Sequence, residues 1–314
     1  MSYTFLSPCA NPPAPAINLL APKISRTRPS FPCRSSMEKQ QLIKGSKLME
    51  FPYLTDPHRD TMVDLISAME NRLGSHLLLS SVPPDVEHYQ NESGTSQGTL
   101  HIRCGIDSSP IDFVLASWLH LEQPTGGALD ITNIAGYLKS STDVPHFQFE
   151  LVKCSPTFLI LFLDLIPRKD IVFSPDYLKT YYEDTQLEKF RQQLDQLPEV
   201  KPYFSSSLYF RCVVSPTGIL VSIKCEDGAG PERVEEIIRE HVRPMSNDIM
   251  KIWIDMCVGE GVEVGETERA VLEKRDSLIK SKAIQMDLSS SMPKQFGQEV
   301  ADRVLRVIKS VYNV

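Results

Sequence analysis

The stretch HFQFELVKCSPTFLILFLDL, residues 146–165, contains two strand-like runs joined by the turn-forming pair Ser155-Pro156. In the first run, Phe147, Phe149 and Leu151 share one face, which is the alternation typical of a half-buried antiparallel strand. The second run is apolar at every position from residue 158 to residue 163, and such strands are generally covered on both faces. We therefore expect a sheet built around this pair.

Glu150 lies on the other face of the first run, next to the buried strand. Burial disfavours the charged form of a carboxyl group, so an interior glutamate has a raised pKa and can donate a proton near neutral pH. Pattern alone favours a plainer interpretation, in which Glu150 faces water on the polar side of an edge strand. The two interpretations differ in where this strand lies within the sheet.

The rest of the sequence surrounds this pair with further strands and helices. Short turns join the strand-like runs at residues 99–104, 111–120 and 128–135, and turns of this length indicate an antiparallel meander. A last hairpin is expected from residues 205–214 and 217–225. Helical patterns lie before and after the strands, at residues 56–79, 175–197, 231–258, 266–284 and 296–312. The sequence therefore predicts an α+β fold with helices on both faces of a mainly antiparallel sheet.

Composition excludes several classes of function. The 314-residue chain has a formal net charge of −7 and a pI near 5.6, whereas nucleic-acid binding needs a basic surface. We expect no transmembrane segment, because no apolar run approaches the roughly 20 residues that a membrane-spanning helix needs. No GxGxxG motif follows a strand, and the seven cysteines include no CxxC pair, so we expect neither a Rossmann nucleotide site nor a zinc site.

The N-terminal 37 residues contain no Asp or Glu, and their only charged residues are Lys23, Arg26, Arg28 and Arg34. Together with frequent Ser and Pro, this composition is typical of an organelle transit peptide, although a disordered tail without a targeting role is the alternative. We expect residues 1–40 to be a transit peptide and residues 41–314 to form a single catalytic domain. The proline content favours the chloroplast over the mitochondrion.

Several long blocks of the sequence form a recognisable series: MEFPY (49–53), SSPIDFVLASW (108–118), FEL (149–151), RKD with PDYLKTYYEDT (168–185), LPEVKPYFSSSLYFR (197–211) and FGQEVADRV (296–304). In this order, the blocks resemble the red chlorophyll catabolite reductases of plants. The resemblance extends over nearly the whole chain after the N-terminal extension. It implies the three-layer α/β/α sandwich of the ferredoxin-dependent bilin reductases.

The same resemblance implies an enzyme without a bound cofactor or metal. Ferredoxin would supply single electrons to red chlorophyll catabolite, an open-chain tetrapyrrole. The C20/C1 double bond would be saturated, giving primary fluorescent chlorophyll catabolite. A non-catalytic carrier of linear tetrapyrroles is the alternative function. The implied location is the chloroplast stroma, with the mitochondrion as a second location, and the implied partners are ferredoxin, the upstream pheophorbide a oxygenase and a second copy of the chain.

Two carboxyl groups match catalytic positions of that family. Glu150 would be the main proton donor, and Asp287, in a predicted loop KAIQMDL, would be a second donor or would orient the substrate. The sequence pattern alone predicts that Asp287 is an ordinary solvated loop residue. Four residues near the last hairpin are expected to bind substrate: Ser206, Ser207, Arg211 and Val214. Val214 matches a family position whose bulk is expected to influence the stereochemistry of the product, whereas a surface charge is the alternative interpretation for Arg211.

Overall fold

The computed structural model describes residues 47–225, 230–259 and 264–314, apart from the side chains of Lys47 and Asp287. The predicted transit peptide, residues 1–40, lies outside the described part. In the described part of the chain, eight strands form one antiparallel sheet in the order β1-β2-β3-β4-β5-β6-β8-β7. The strands are β1 His88–Gln90, β2 Ser96–Cys104, β3 Ile111–Glu122, β4 Ala128–Leu138, β5 His146–Ser155, β6 Phe158–Ile166, β7 Val200–Pro202 and β8 Ile219–Lys224.

Within the described ranges, ten α-helices accompany the sheet. They are α1 Asp56–Leu73, α2 Pro84–Glu87, α3 Pro175–Leu178, α4 Glu188–Asp195, α5 Leu208–Val213, α6 Gly230–Ile237, α7 Arg243–Val258, α8 Glu266–Ala283, α9 Ser289–Phe296 and α10 Gln298–Tyr312. π-Helical turns extend α3 and join two helix pairs, at Lys179–Glu183, Ile238–Val242 and Ile284–Leu288. Short 3-10 turns occur at Lys47–Met49 and Gly74–His76.

The first face of the sheet, which carries Phe147 and Phe149, packs against α1, α3, α4, α6 and α7. Trp253 of α7 is fully buried there, and its indole nitrogen donates to the carbonyl oxygen of Pro145 at 3.0 Å. Gly136 of β4 permits this packing, because a Cβ atom at that position would overlap the indole ring. The helices on this face are therefore seated tightly on the strands.

The second face packs against α2, α5, α8, α9 and α10. Val152, Ile160 and Phe162 of the central strands lie in this second core, together with Phe210 of α5. The predicted α+β sandwich, with helices on both faces of an antiparallel sheet, is confirmed.

The central strand pair occupies the position that its sequence predicts. β5 pairs with β4 on one side and with β6 on the other, and β6 also pairs with β8. Both strands are therefore interior, and the alternative in which β5 is an edge strand is wrong. Successive side chains point to opposite faces, so Glu150 lies on the second face between Gln148 and Val152.

The predicted hairpin strand at residues 205–214 is wrong. Most of this segment forms the short helix α5, and the hydroxyl oxygen of Ser207 accepts a hydrogen bond from the backbone nitrogen of Phe210 at 3.2 Å, as an N-cap does. The edge of β8 that this segment would have used pairs with β7 instead. The predicted helix over residues 175–197 is also interrupted, because a π-helical turn and a bend separate α3 from α4.

Candidate functional site

Glu150 lies at the centre of the sheet and has no exposed surface. In the strand register it faces Asn133 of β4 and Phe162 of β6. The side-chain nitrogen Nδ2 of Asn133 donates a hydrogen bond to Oε2 of Glu150 at 3.3 Å. A neutral amide thus holds one oxygen of a buried carboxyl group.

Tyr203 lies close to this carboxyl group, on the side of Glu150 that faces β8. Its backbone nitrogen donates to the carbonyl oxygen of Leu220, the residue that pairs with Phe162. Burial raises the pKa of Tyr203, and Cys154 and Glu150 raise it further. The phenol group therefore remains protonated near neutral pH and keeps its hydrogen-bond donor.

Asp164 is a second buried carboxyl group on the same face, paired across the strands with Gln148. Its Oδ2 accepts from the backbone nitrogen of Ser215 at 2.8 Å, and its Oδ1 accepts from the Ser215 hydroxyl at 2.6 Å. Burial raises the pKa of Asp164 to about 6, although these hydrogen bonds lower it in part. Asp164 was not among the predicted site residues, and its signal in the sequence is a single acidic position in an otherwise apolar strand.

Asp276 of α8 lies at the end of the sheet where β5 begins. Arg168 donates to it through Nη2 at 2.5 Å and through Nε at 3.3 Å, and Nε2 of His146 lies 2.9 Å from its Oδ1. Burial alone would raise the pKa of Asp276, but His146 and Arg168 outweigh burial and hold this pKa below its usual range. This carboxylate therefore fastens α8 to the sheet as a permanent anion.

A groove of about 790 Å³ lies between α5, α8 and the loop that follows β6. Tyr209 and Val213 of α5 line one wall, and Leu278 of α8 lines the other. Lys274 and Arg275 bring positive charge to the α8 wall. The groove is therefore largely apolar with a cationic side, which suits an apolar molecule that carries acidic groups.

Helix α5 contacts both this groove and the strand residues beside Glu150. Its Phe210 packs edge-on against Phe162 with ring centroids 4.9 Å apart, and Phe162 is the residue opposite Glu150 on β6. Tyr209 and Val213, on the same helix, line the groove. Helix α5 therefore contacts both the groove and the cross-strand neighbour of Glu150.

The predicted substrate-binding residues all belong to this helix or adjoin it. Ser206 and Arg211 are exposed, while the hydroxyl of Ser207 caps the helix. Val214 directly follows α5 and packs, half-buried, in the second core. Among the described residues, no hydrogen bond joins Ser206, Ser207 or Arg211 to Glu150.

Asp287 lies in the π-helical turn Ile284–Leu288 that joins α8 to α9, and not in a loop. Its side chain is outside the described part of the structure. Among the residues that the structure does describe, no three His, Cys, Asp or Glu side chains lie close enough together to hold a metal ion. Within the same residues, no helix is both long and apolar enough to cross a membrane.

Comparison with known proteins decides the family. The family model of red chlorophyll catabolite reductase (RCC reductase) matches residues 57–310. The chain belongs to the red chlorophyll catabolite reductase family. It is 44% identical to the chloroplastic red chlorophyll catabolite reductase of Arabidopsis thaliana over 316 residues, covering 100% of this chain and 96% of that protein.

Other members of the family are similar over shorter lengths. Identity to the chloroplastic red chlorophyll catabolite reductase 1 of Oryza sativa subsp. japonica is 42%, covering 82% of this chain and 78% of the rice protein. Among solved structures, phytochromobilin synthase from tomato in complex with biliverdin superposes with a TM-score of 0.57 at 18% identity, covering 80% of this chain and 82% of the other. The reductase family therefore shares its fold with a bilin-binding protein.

Proposed function

We propose that this chain catalyses the ferredoxin-dependent reduction of red chlorophyll catabolite to primary fluorescent chlorophyll catabolite. The reaction saturates the C20/C1 double bond with two electrons, delivered singly by reduced ferredoxin, and two protons. The observation that carries the proposal is the complete burial of Glu150 at the centre of the sheet. Family membership and the names of the plant relatives support it.

Glu150 is the proposed main proton donor. Burial favours the neutral form of a carboxyl group, and Oε2 of Glu150 accepts a hydrogen bond from the Asn133 amide. In the neutral acid this oxygen acts as the carbonyl oxygen, so the proton resides on Oε1. Asn133 would thus determine which oxygen of the acid delivers the proton to the substrate.

Asp287 is the proposed second donor, or the residue that orients the substrate. It lies in a π-helical turn, and turns of this kind are frequent at functional sites. The turn belongs to the helical layer that covers the second face, the face on which Glu150 lies. This assignment rests on the match with the family.

The groove between α5 and α8 is the proposed entrance for the pigment. Its volume falls within the roughly 300–1,000 Å³ of small-molecule sites. Arg275 on one wall, with Arg211 on α5, is a candidate to bind the carboxylate arms, and Ser206 and Ser207 adjoin Arg211. Val214 would contact the pigment nearer to Glu150.

Electrons are proposed to arrive from ferredoxin, without a cofactor bound to this chain. Because ferredoxin is acidic, it needs a basic surface near the pigment. Several basic residues of the C-terminal helices are already paired with acidic ones, as Arg243 is with Asp64 and Lys280 with Asp112. Lys274, beside the groove, is a stronger candidate for docking ferredoxin than these paired residues. The relatives named as chloroplastic support the same location for this chain.

Anaerobic incubation with red chlorophyll catabolite, ferredoxin and a reducing system tests the proposal. We expect the wild-type chain to form fluorescent product and Glu150→Gln to lose about 100-fold or more in kcat, since general acid catalysis contributes roughly 10²–10⁴-fold. Binding of the pigment should change little, because glutamine has the same size and can still accept from Asn133.

Glu122→Gln is the matched control, because Glu122 is an exposed carboxyl group at the end of β3. It should retain wild-type turnover. Tight pigment binding by the wild-type chain without product would instead support a carrier of linear tetrapyrroles. Full activity in Glu150→Gln would overturn the assignment of the proton donor.

A further inference from the structure

Two buried amide side chains beside Glu150 each have an atom without a hydrogen-bond partner. Gln148 is 3% exposed, and Asn133 has no exposed surface. Among the described residues, Nε2 of Gln148 and Oδ1 of Asn133 contact no acceptor or donor. Buried polar atoms are nearly always hydrogen-bonded in folded proteins, so an unpaired donor and an unpaired acceptor in one place indicate a site for a polar ligand.

The strand register places these two amides around the carboxyl group. Gln148 precedes Glu150 by two residues on β5, and Asn133 faces Glu150 from β4. All three side chains lie on the second face, with neighbouring positions roughly 7 Å apart along a strand or diagonally across the pair. They form a triangle whose corners are a hydrogen-bond donor, a hydrogen-bond acceptor and a carboxyl group.

Small side chains and groups that are already paired surround the two amides, which explains why they lack protein partners. Ala135 faces Gln148, and Ser117 faces Asn133, so the neighbours on β3 and β4 are small. On the other side of Gln148, both oxygens of Asp164 accept hydrogen bonds from Ser215. The Asn133 amide uses its nitrogen for Glu150, which leaves its oxygen facing away.

We propose that Gln148 and Asn133 recognise the polar edge of the open-chain tetrapyrrole. Gln148 donates through Nε2 to a carbonyl oxygen of the pigment, and Asn133 accepts through Oδ1 from a pyrrole N–H. The two contacts fix the pigment so that its reducible bond lies against Glu150. This inference rests on the proposed function, and it assigns substrate recognition to two residues outside the predicted site.

Pigment titration without reductant, followed by absorbance, tests the donor half of the pair. We expect Gln148→Met to raise Kd for red chlorophyll catabolite about tenfold, the equivalent of one good hydrogen bond. The melting temperature of the free protein should not fall, because the variant removes a buried donor that has no partner within the described chain. In turnover, KM should rise while kcat changes less. Gln148→Glu should weaken binding similarly.

Gln97→Met provides a matched control on the same sheet. The Gln97 amide already donates to the carbonyl oxygen of Gly94 at 3.1 Å, so its loss should lower the melting temperature and leave pigment binding unchanged. Wild-type affinity in Gln148→Met would overturn the proposal, as would a loss of affinity explained by a lower melting temperature. Pigment binding by the wild-type chain without turnover would refute the proposed function alone and leave this inference standing.

Discussion

Two buried carboxyl groups, Asp276 and Glu150, have opposite surroundings. Asp276 lies between the guanidinium of Arg168 and the ring of His146, so its negative charge is balanced within a hydrogen bond's length. Glu150 accepts a hydrogen bond from the neutral amide of Asn133. A nearby cation stabilises the carboxylate, whereas burial without one favours the neutral acid. Asp276 is therefore held as an anion, whereas the proton-donor role proposed for Glu150 requires the neutral acid.

Removing the charge of Asp276 should produce the largest loss of stability. Asp276→Asn leaves Arg168 buried with an unbalanced charge, and breaking a buried ion pair costs about 3–5 kcal/mol. Urea unfolding at neutral pH measures this loss. Asp255→Asn is the matched control, because the Arg72–Asp255 pair is exposed and worth about 0–1 kcal/mol. Equal effects of the two variants would show that the buried cluster does not fasten α8.

Asp164 should produce a smaller, pH-dependent effect. Its pKa of about 6 in the folded chain lies above the roughly 3.9 of an unfolded aspartate. Between these values the folded state retains a proton that the unfolded state has released, so stability falls as pH rises from about 4 to 6 and is then constant. Asp164→Asn does not titrate. Its stability relative to wild type should therefore increase by on the order of 2–3 kcal/mol between pH 4 and pH 7.

Unfolding in urea across this pH range measures that difference. Ser215→Ala sharpens the test, because the Ser215 hydroxyl is one of the groups that lower the pKa of Asp164. In that variant the fall in stability should extend to higher pH. A difference between Asp164→Asn and wild type that stays constant from pH 4 to pH 7 would contradict the raised pKa.

The sequence predicted the central strands well because their pattern is local. Alternation placed Glu150 on a definite face of β5, and the apolar run of β6 predicted an interior strand. Alternation could not establish whether β5 was central, because a half-buried edge strand has the same pattern. The pairing of β5 with both β4 and β6 decides this. The interior position of β6 depends in turn on β8, which lies more than 50 residues farther along the chain.

Helix α5 shows a different limit of sequence reasoning. The run LYFRCV is rich in aromatic and β-branched residues, which favour strands, yet it forms one short helix. Ser207 was the available signal, since serine is a preferred N-cap, but the turn after Val214 favoured a hairpin. The Arg168–Asp276 pair joins residues 108 positions apart, so only the folded chain reveals it.

The protonation state of His146 tests whether Arg168 alone balances Asp276. Burial lowers the pKa of His146 to about 4, with Asp276 opposing this and Arg168 adding to it. Its Nδ1 accepts a hydrogen bond from the backbone nitrogen of Leu138 at 3.2 Å, so the ring proton belongs on Nε2, which donates to Asp276.

In ¹⁵N NMR spectra of histidine-labelled protein, His146 should therefore show an unprotonated Nδ1 and a protonated Nε2 throughout the neutral range. Because this pKa is depressed, the stability that His146 contributes is present above about pH 6.5 and is lost as pH falls towards 4, opposite in sign to Asp164. An imidazolium signal at pH 7 would mean that Asp276 draws a second positive charge into the cluster. Asp276 would then balance two cations, and its contrast with the amide-held Glu150 would be larger still.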